Sequence, residues 1–133
     1  VTHSPTTGFL VSPAWLIGGL RNVPGYLGAG NGRLTFVSDT PVFDVAMHEV
    51  TDIRYPWYWF GGGVKLTAAG QPYKITFVRP NGMPPPNPSI LNTGVGVFGM
   101  LTGTWHDIYA LQGLADIGTG REAGRQWRAL LGG

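Results

Sequence analysis

The chain has 133 residues and a mass of 14.2 kDa, enough for one hydrophobic core and too little for two. Only 12% of the residues are charged against 43% hydrophobic, and 22 glycines and 11 prolines accompany them, a profile of strands and turns more than of long helices. The net charge of +2 is too small a field to indicate nucleic acid, and the absence of cysteine excludes disulfides and thiolate metal sites and fits a reducing compartment, so cytoplasm is the expected location.

Residues 1–13 read as a leader, loose over the Thr-, Ser- and Pro-containing "VTHSPTTG", which lacks the build of a signal peptide. No stretch reaches the roughly 18 apolar residues that cross a bilayer. The first apolar run is "FLVSPAWLIGGL", and from residue 14 to residue 80 the pattern is that of a strand meander within a single domain. "NVPGYLGAGNG", Asn22 to Gly32, reads as a turn-forming segment whose Asn31-Gly32 pair suits positive φ. It feeds the strand "RLTFVSD", and "PVFDVAMHEV" continues the period of two, with Phe43, Val45 and Met47 on one side and Asp44, Ala46 and His48 on the other.

Next comes "RYPWYWFGGGVKL", where five aromatic residues and a proline run into three glycines. Continuing the earlier phase turns Tyr55, Trp57 and Trp59 toward the core and Tyr58 and Phe60 outward, unless Pro56 introduces a bulge. "VKLTA", the turn "AAGQP" and "YKITFVRP" complete at least five strands. Residues 81–113 form a Gly- and Pro-rich insertion, with "MPPPNPS" suited to polyproline geometry, an apolar stretch without helical period, and a short helix in "WHDIYALQGL". Residues 114–131 hold the C-terminal helix, with Thr119 and Glu122 spaced as a capping box. On it Ala123, Trp127, Leu130 and Leu131 share one face, opposite Arg121, Arg125 and Arg128.

A strand meander closed by one amphipathic helix resembles the pleckstrin-homology superfamily, most closely its GRAM-like and bacterial PH-like branches. The likeness is carried by "AWLIGGLRNVPGYLGAGNGRLTFVSDTPVFDVAMHEVTDIRYP", "GGGVKLTAAGQPYKITFVRP" and "EAGRQWRALL". It implies a mainly β fold, a bent antiparallel sheet or partly open barrel capped by the last helix through Trp127 and Leu130. It also implies noncatalytic binding of lipid headgroups or proteins. The first hairpin carries only Arg21 and Arg33, where headgroup binders of this kind concentrate several basic residues.

Two sets of side chains are interface candidates: Trp57, Tyr58, Trp59, Phe60, Phe98 and Met100 as apolar contacts, and Arg121, Arg125 and Arg128 as a basic stripe. Core packing and a solvated helix face are the plainer readings of the same residues. "GVGVFG", Gly94 to Gly99, matches G-x-G-x-x-G but lacks the surrounding strand and helix of a dinucleotide site, and "GAGNGR" lacks the Lys-Ser/Thr ending of a phosphate loop. His3, His48 and His106 are scattered, with only His106-Asp107 adjacent to a carboxylate. No acid–base pair, nucleophile elbow or metal set emerges, so neither enzyme activity nor a cofactor is expected. The expected function is a noncatalytic binding module engaging a protein partner or its own copy through the aromatic hairpin and the insertion. Its rival is peripheral membrane binding at the inner face, with Trp57, Trp59 or Phe98 as wedges and the terminal arginines attracting anionic lipid.

Overall fold

The computed structural model describes residues 10–18, 22–56, 62–100 and 117–132, the side chains of the last stretch from Ala123 onward. Trp57 to Phe60, the expected helix at 105–114 and the first nine residues lie outside the described residues. Seven antiparallel strands make one mainly β unit: β1 (Leu10–Ile17), β2 (Val23–Gly30), β3 (Arg33–Val37), β4 (Pro41–Ala46), β5 (Thr51–Arg54), β6 (Gly63–Ala68) and β7 (Gln71–Thr76). Their spatial order is β4-β3-β2-β1-β7-β6-β5. Two meanders are therefore joined through β1, which pairs with β2 along its length and with β7 from Trp15 to Ile17.

The sheet does not close, yet it curls strongly. Edge strands β4 and β5 are consecutive in the chain, and the five steps from Ala46 to Thr51 reach at most about 18 Å. Six interstrand spacings laid flat would separate them by about 29 Å. The curl also brings Phe43 of β4 to 4.9 Å, between ring centroids, from Tyr73 of β7, four places away in the sheet. The concave face holds the main core, including Ala14, Leu27, Leu34, Phe36, Val45, Leu66, Ile75 and Phe77.

Two segments differ from the sequence-based expectation for a shared reason. β1 begins at Leu10, inside the stretch expected as leader, and β2 occupies most of the segment expected as a turn, leaving only Asn31-Gly32 to reverse the chain with φ of 54° and 81°. Both strands are covered on both faces, so β1 shows no apolar/polar alternation. The glycines of β2 answer to close approach instead: a Cβ on Gly25 would strike the Val37 carbonyl and the Phe36 ring, and one on Gly28 would sit 3.0 Å from the Phe98 ring. Pro13 lies before the β7 pairing starts at Trp15, where β1 is locally an edge and tolerates a residue without N–H. The expected strand 41–50 ends at Ala46, because a 3-10 turn at Met47–Glu49 carries the chain to β5, with Glu49 Oε1 accepting from the Ala46 N–H at 3.2 Å.

The described part of the insertion, 81–100, lies on the convex face of β1–β3. It contains a 3-10 helix (Pro88–Asn92) and the helix α1 (Val97–Met100). Ile90, Leu91, Val97 and Phe98 bury against Val11, Tyr26 and Val37 as a second core. Polar ties fix the strap: Trp15 Nε1 donates to the Pro84 carbonyl at 2.9 Å, and the Val97 N–H donates to Thr35 Oγ1 at 3.1 Å.

Helix α2 (Ile117–Leu131) stops the concave side. Thr119, expected as its cap, lies within the helix. Trp127 is fully buried, stacks on Phe77 with centroids 5.9 Å apart, and donates its indole N–H to Ser12 Oγ at 2.9 Å. Ala123 and Leu131, one turn either way, pack beside it. Leu130, expected as part of the plug, is 46% exposed, because the buried line follows the i, i+4 spacing through Trp127. Gly132, with φ of 73°, ends the helix and returns its N–H to the Arg128 carbonyl at 2.9 Å.

Candidate functional site

The expected interface residues do not assemble into one patch among the described residues. Phe98 is wholly buried beneath its own helix α1, so the surface it meets is the chain's own β2, and a role as an outward wedge does not fit. Met100 is 40% exposed, with its sulfur accepting from Asn31 Nδ2 at 3.7 Å. Arg125 and Arg128 are exposed on α2, whereas the side chains of Arg121, Trp57, Tyr58, Trp59 and Phe60 lie outside the described residues. Arg128 lies over the Tyr55 ring, 4.8 Å from its centroid, and Tyr55 Oη donates to the Gly132 carbonyl, so this arginine also latches the helix end to the strand region. Burial raises the Tyr55 hydroxyl above its usual pKa, partly opposed by the Arg128 charge.

Arg33, one of the two basic residues of the first hairpin, is likewise engaged. Its Nε sits 3.0 Å from Asp44 Oδ1, and its Nη2 donates to the Asp44 carbonyl at 3.2 Å. The hydrogen bond and charge of Asp44 raise the guanidinium pKa. Asp44 Oδ1 also accepts from Thr35 Oγ1 at 3.0 Å, so the chain Arg33, Asp44, Thr35, Val97 is an anchor of the strap, not a receptor for an external anion.

A different place has the geometry of a receptor. A cleft of about 560 Å³ opens where the end of β1 meets β5, β6 and β7. It is lined from the concave side by half-buried Leu16, Val23 and Tyr73 and from the convex side by Ile17, Arg54, Lys65 and Lys74, with Asp52 the carboxylate among the described lining residues. Register creates the charged wall. Arg54 pairs with Lys65, Lys65 with Lys74, and Lys74 with Ile17, one row crossing four adjacent strands. The core residues Ile53, Leu66, Tyr73 and Leu16 beside them in sequence put the row on the convex side.

Side chains directly opposite across an antiparallel pair stand about 5 Å apart, and like charges there repel. Three cations thus stand in successive cross-strand positions. Asp52, held at φ of 54° in an irregular pairing of β5, accepts from Thr67 Oγ1 at 3.4 Å. The Lys74 stem crosses Gly18, where a Cβ would come 3.0 Å from its Cδ.

Residue numbers 54, 65 and 74 carry no shared motif, so no local signal marks the row; only the β5–β6–β7 register reveals it. Among the described residues no group of three or more His, Cys, Asp or Glu side chains is placed to hold a metal ion. No helix among them is long and apolar enough to cross a membrane. No protein-family model matches the chain, and no curated protein matches it in sequence.

Proposed function

We propose that the chain is a noncatalytic, PH/GRAM-like binding module that holds an anionic ligand in the cleft between β1, β5, β6 and β7. The single observation that carries this reading is the cross-strand row Arg54, Lys65, Lys74 beside one carboxylate in a cleft of ligand size. The curled sheet stopped by a C-terminal helix through Trp127 supports the superfamily resemblance. Burial of Phe98 lowers the case for a partner or a second copy docking on the insertion, and the basic row raises the case for the rival, an anionic surface.

Sedimentation with anionic and with neutral vesicles, and titration with inorganic phosphate, test the reading at low ionic strength and again near 1 M salt, where the screening length falls to about 3 Å. Binding is expected for the anionic probes at low salt, with loss at high salt and on Lys74→Gln. Absence of both anionic vesicle uptake and phosphate binding at low salt overturns it. Light scattering on the same samples separates the competing reading, since a dimer that persists at high salt speaks for apolar self-association.

A further inference from the structure

Independently of the cleft, we infer that the strap at 81–100 is a self-contained cover that lifts from the convex face as one unit while the sheet and α2 stay folded. The sheet separates two cores that share no residue. Leu91, Val97 and Phe98 of the strap bury against Val11, Tyr26 and Val37 on the convex side, whereas Leu27, Leu34, Phe36, Phe77 and Trp127 pack on the concave side. Lifting the strap therefore dismantles the first cluster and leaves the packing of the second in place.

The polar ties follow the same division. The N–H groups of Ile90, Thr93, Phe98 and Gly99 donate to the carbonyls of Asn87, Ile90, Val95 and Gly96, so these turns close within the strap itself. Its described ties to the sheet run through side chains of the sheet: Thr35 Oγ1 accepts from the Val97 N–H, the Trp15 indole donates to the Pro84 carbonyl, and Tyr26 Oη donates to the Pro86 carbonyl at 3.4 Å. Water replaces such partners once the strap lifts, and Thr35 keeps Asp44. The pairing of the seven strands involves residues 10–76 and no strap residue.

Entropy acts in the same direction. Gly94, Gly96 and Gly99 lie close together in the strap, and the first two are held at φ of 72° and 51°. Glycine loses more backbone freedom on ordering than any other residue, so this segment regains much on release. Gly96 is also a point of close approach: a Cβ there would strike Asp44 Oδ1 and Thr35 Oγ1, so glycine at this position lets the strap close on the Arg33–Asp44–Thr35 chain. Opening uncovers Val11, Tyr26 and Val37, all buried in the closed form.

Native-state hydrogen exchange followed by NMR, at a series of urea concentrations below the unfolding transition, tests the inference. The amides of Thr93, Val97 and Phe98 are expected to exchange through one shared opening, about tenfold or more as populated as global unfolding and with a shallower urea dependence, because it exposes only the second core. Ser12→Ala removes the acceptor of the Trp127 indole on the concave side and destabilises the closed and open forms alike. It is expected to speed exchange of the β6 and β7 amides by about tenfold and to leave the strap amides within about twofold of the parent. Gly96→Ala is expected to strip protection from the strap amides while those of β6 and β7 stay protected. Strap amides that follow the global urea slope, or that speed up with Ser12→Ala as much as β6 and β7 do, show that the strap unfolds only with the whole chain and overturn the inference. A folded Gly96→Ala chain whose strap amides keep the parent's protection overturns it too. Should either variant fail to fold, the urea slopes of the parent decide.

Discussion

Thr35 shows how much one hydroxyl can organise. It is fully buried on the convex face, donates to Asp44 Oδ1 and accepts from the Val97 N–H. Thr35→Val keeps the shape and removes the acceptor, so the Val97 N–H is left buried without its partner. The expected loss is about 1 to 3 kcal/mol in urea unfolding, with Thr35→Ser close to the parent. Tyr55 gives a residue-scale prediction in pH. Its folded pKa lies above the unfolded value of about 10, so the folded state retains the phenol proton longer. Stability from this source is complete below pH 10 and falls as pH rises toward the folded pKa. Unfolding of the parent minus that of Tyr55→Phe isolates this effect from lysine titration: the difference is expected to be flat up to about pH 9 and to decline above 10.

At the scale of elements, the sheet and the last helix are held by the Trp127 side chain. Trp127→Ala removes the stack on Phe77 and opens a cavity in the concave core, an expected cost of about 3 to 5 kcal/mol. Ser12→Ala isolates the polar part: the indole N–H loses its acceptor, at about 1 to 3 kcal/mol by thermal or chemical unfolding. The inward position of Trp127 was readable from helical spacing, as were β3, β4 and the inward phase of Phe43 and Val45, because each of those elements has one wet face or a clear period. The strands β1 and β2 were not, since both their faces are covered by apolar or small residues, whereas β3, covered as well, keeps polar Arg33 and Thr35 alternating with Leu34 and Phe36. Gly25 and Gly28 also answer to close contact with Phe36 and Phe98, while in sequence a glycine looks like a turn. The place of the strap was not legible for a related reason: an apolar, glycine-rich stretch without period advertises an unsatisfied surface, and the surface that satisfies it is the convex side of β1 to β3, far away in sequence.

At the scale of the molecule, the candidate site is a product of topology. Arg54, Lys65 and Lys74 gain meaning only when two meanders meet at β1 and the register sets the three in line. No window of the sequence contains that information; each cation alone looks like an ordinary exposed strand residue. The arrangement has an energetic signature that is separate from any ligand. Like charges opposite one another oppose folding, and an opposite charge at the same place favours it by roughly 0.2 to 1 kcal/mol per pair. Lys74→Glu sets a carboxylate across from Lys65, so the ligand-free variant is expected to be more stable than the parent by about that amount, with the gain shrinking as salt is added. The same change is expected to abolish phosphate and anionic vesicle binding. Urea unfolding and the binding titrations, run on one preparation at two salt concentrations, measure both effects. A variant that binds worse and folds better identifies the row as maintained for an anion at the expense of stability. A variant that loses stability at low salt instead shows that Lys74 acts within the fold, through the stem laid over Gly18, and that the row owes nothing to a ligand.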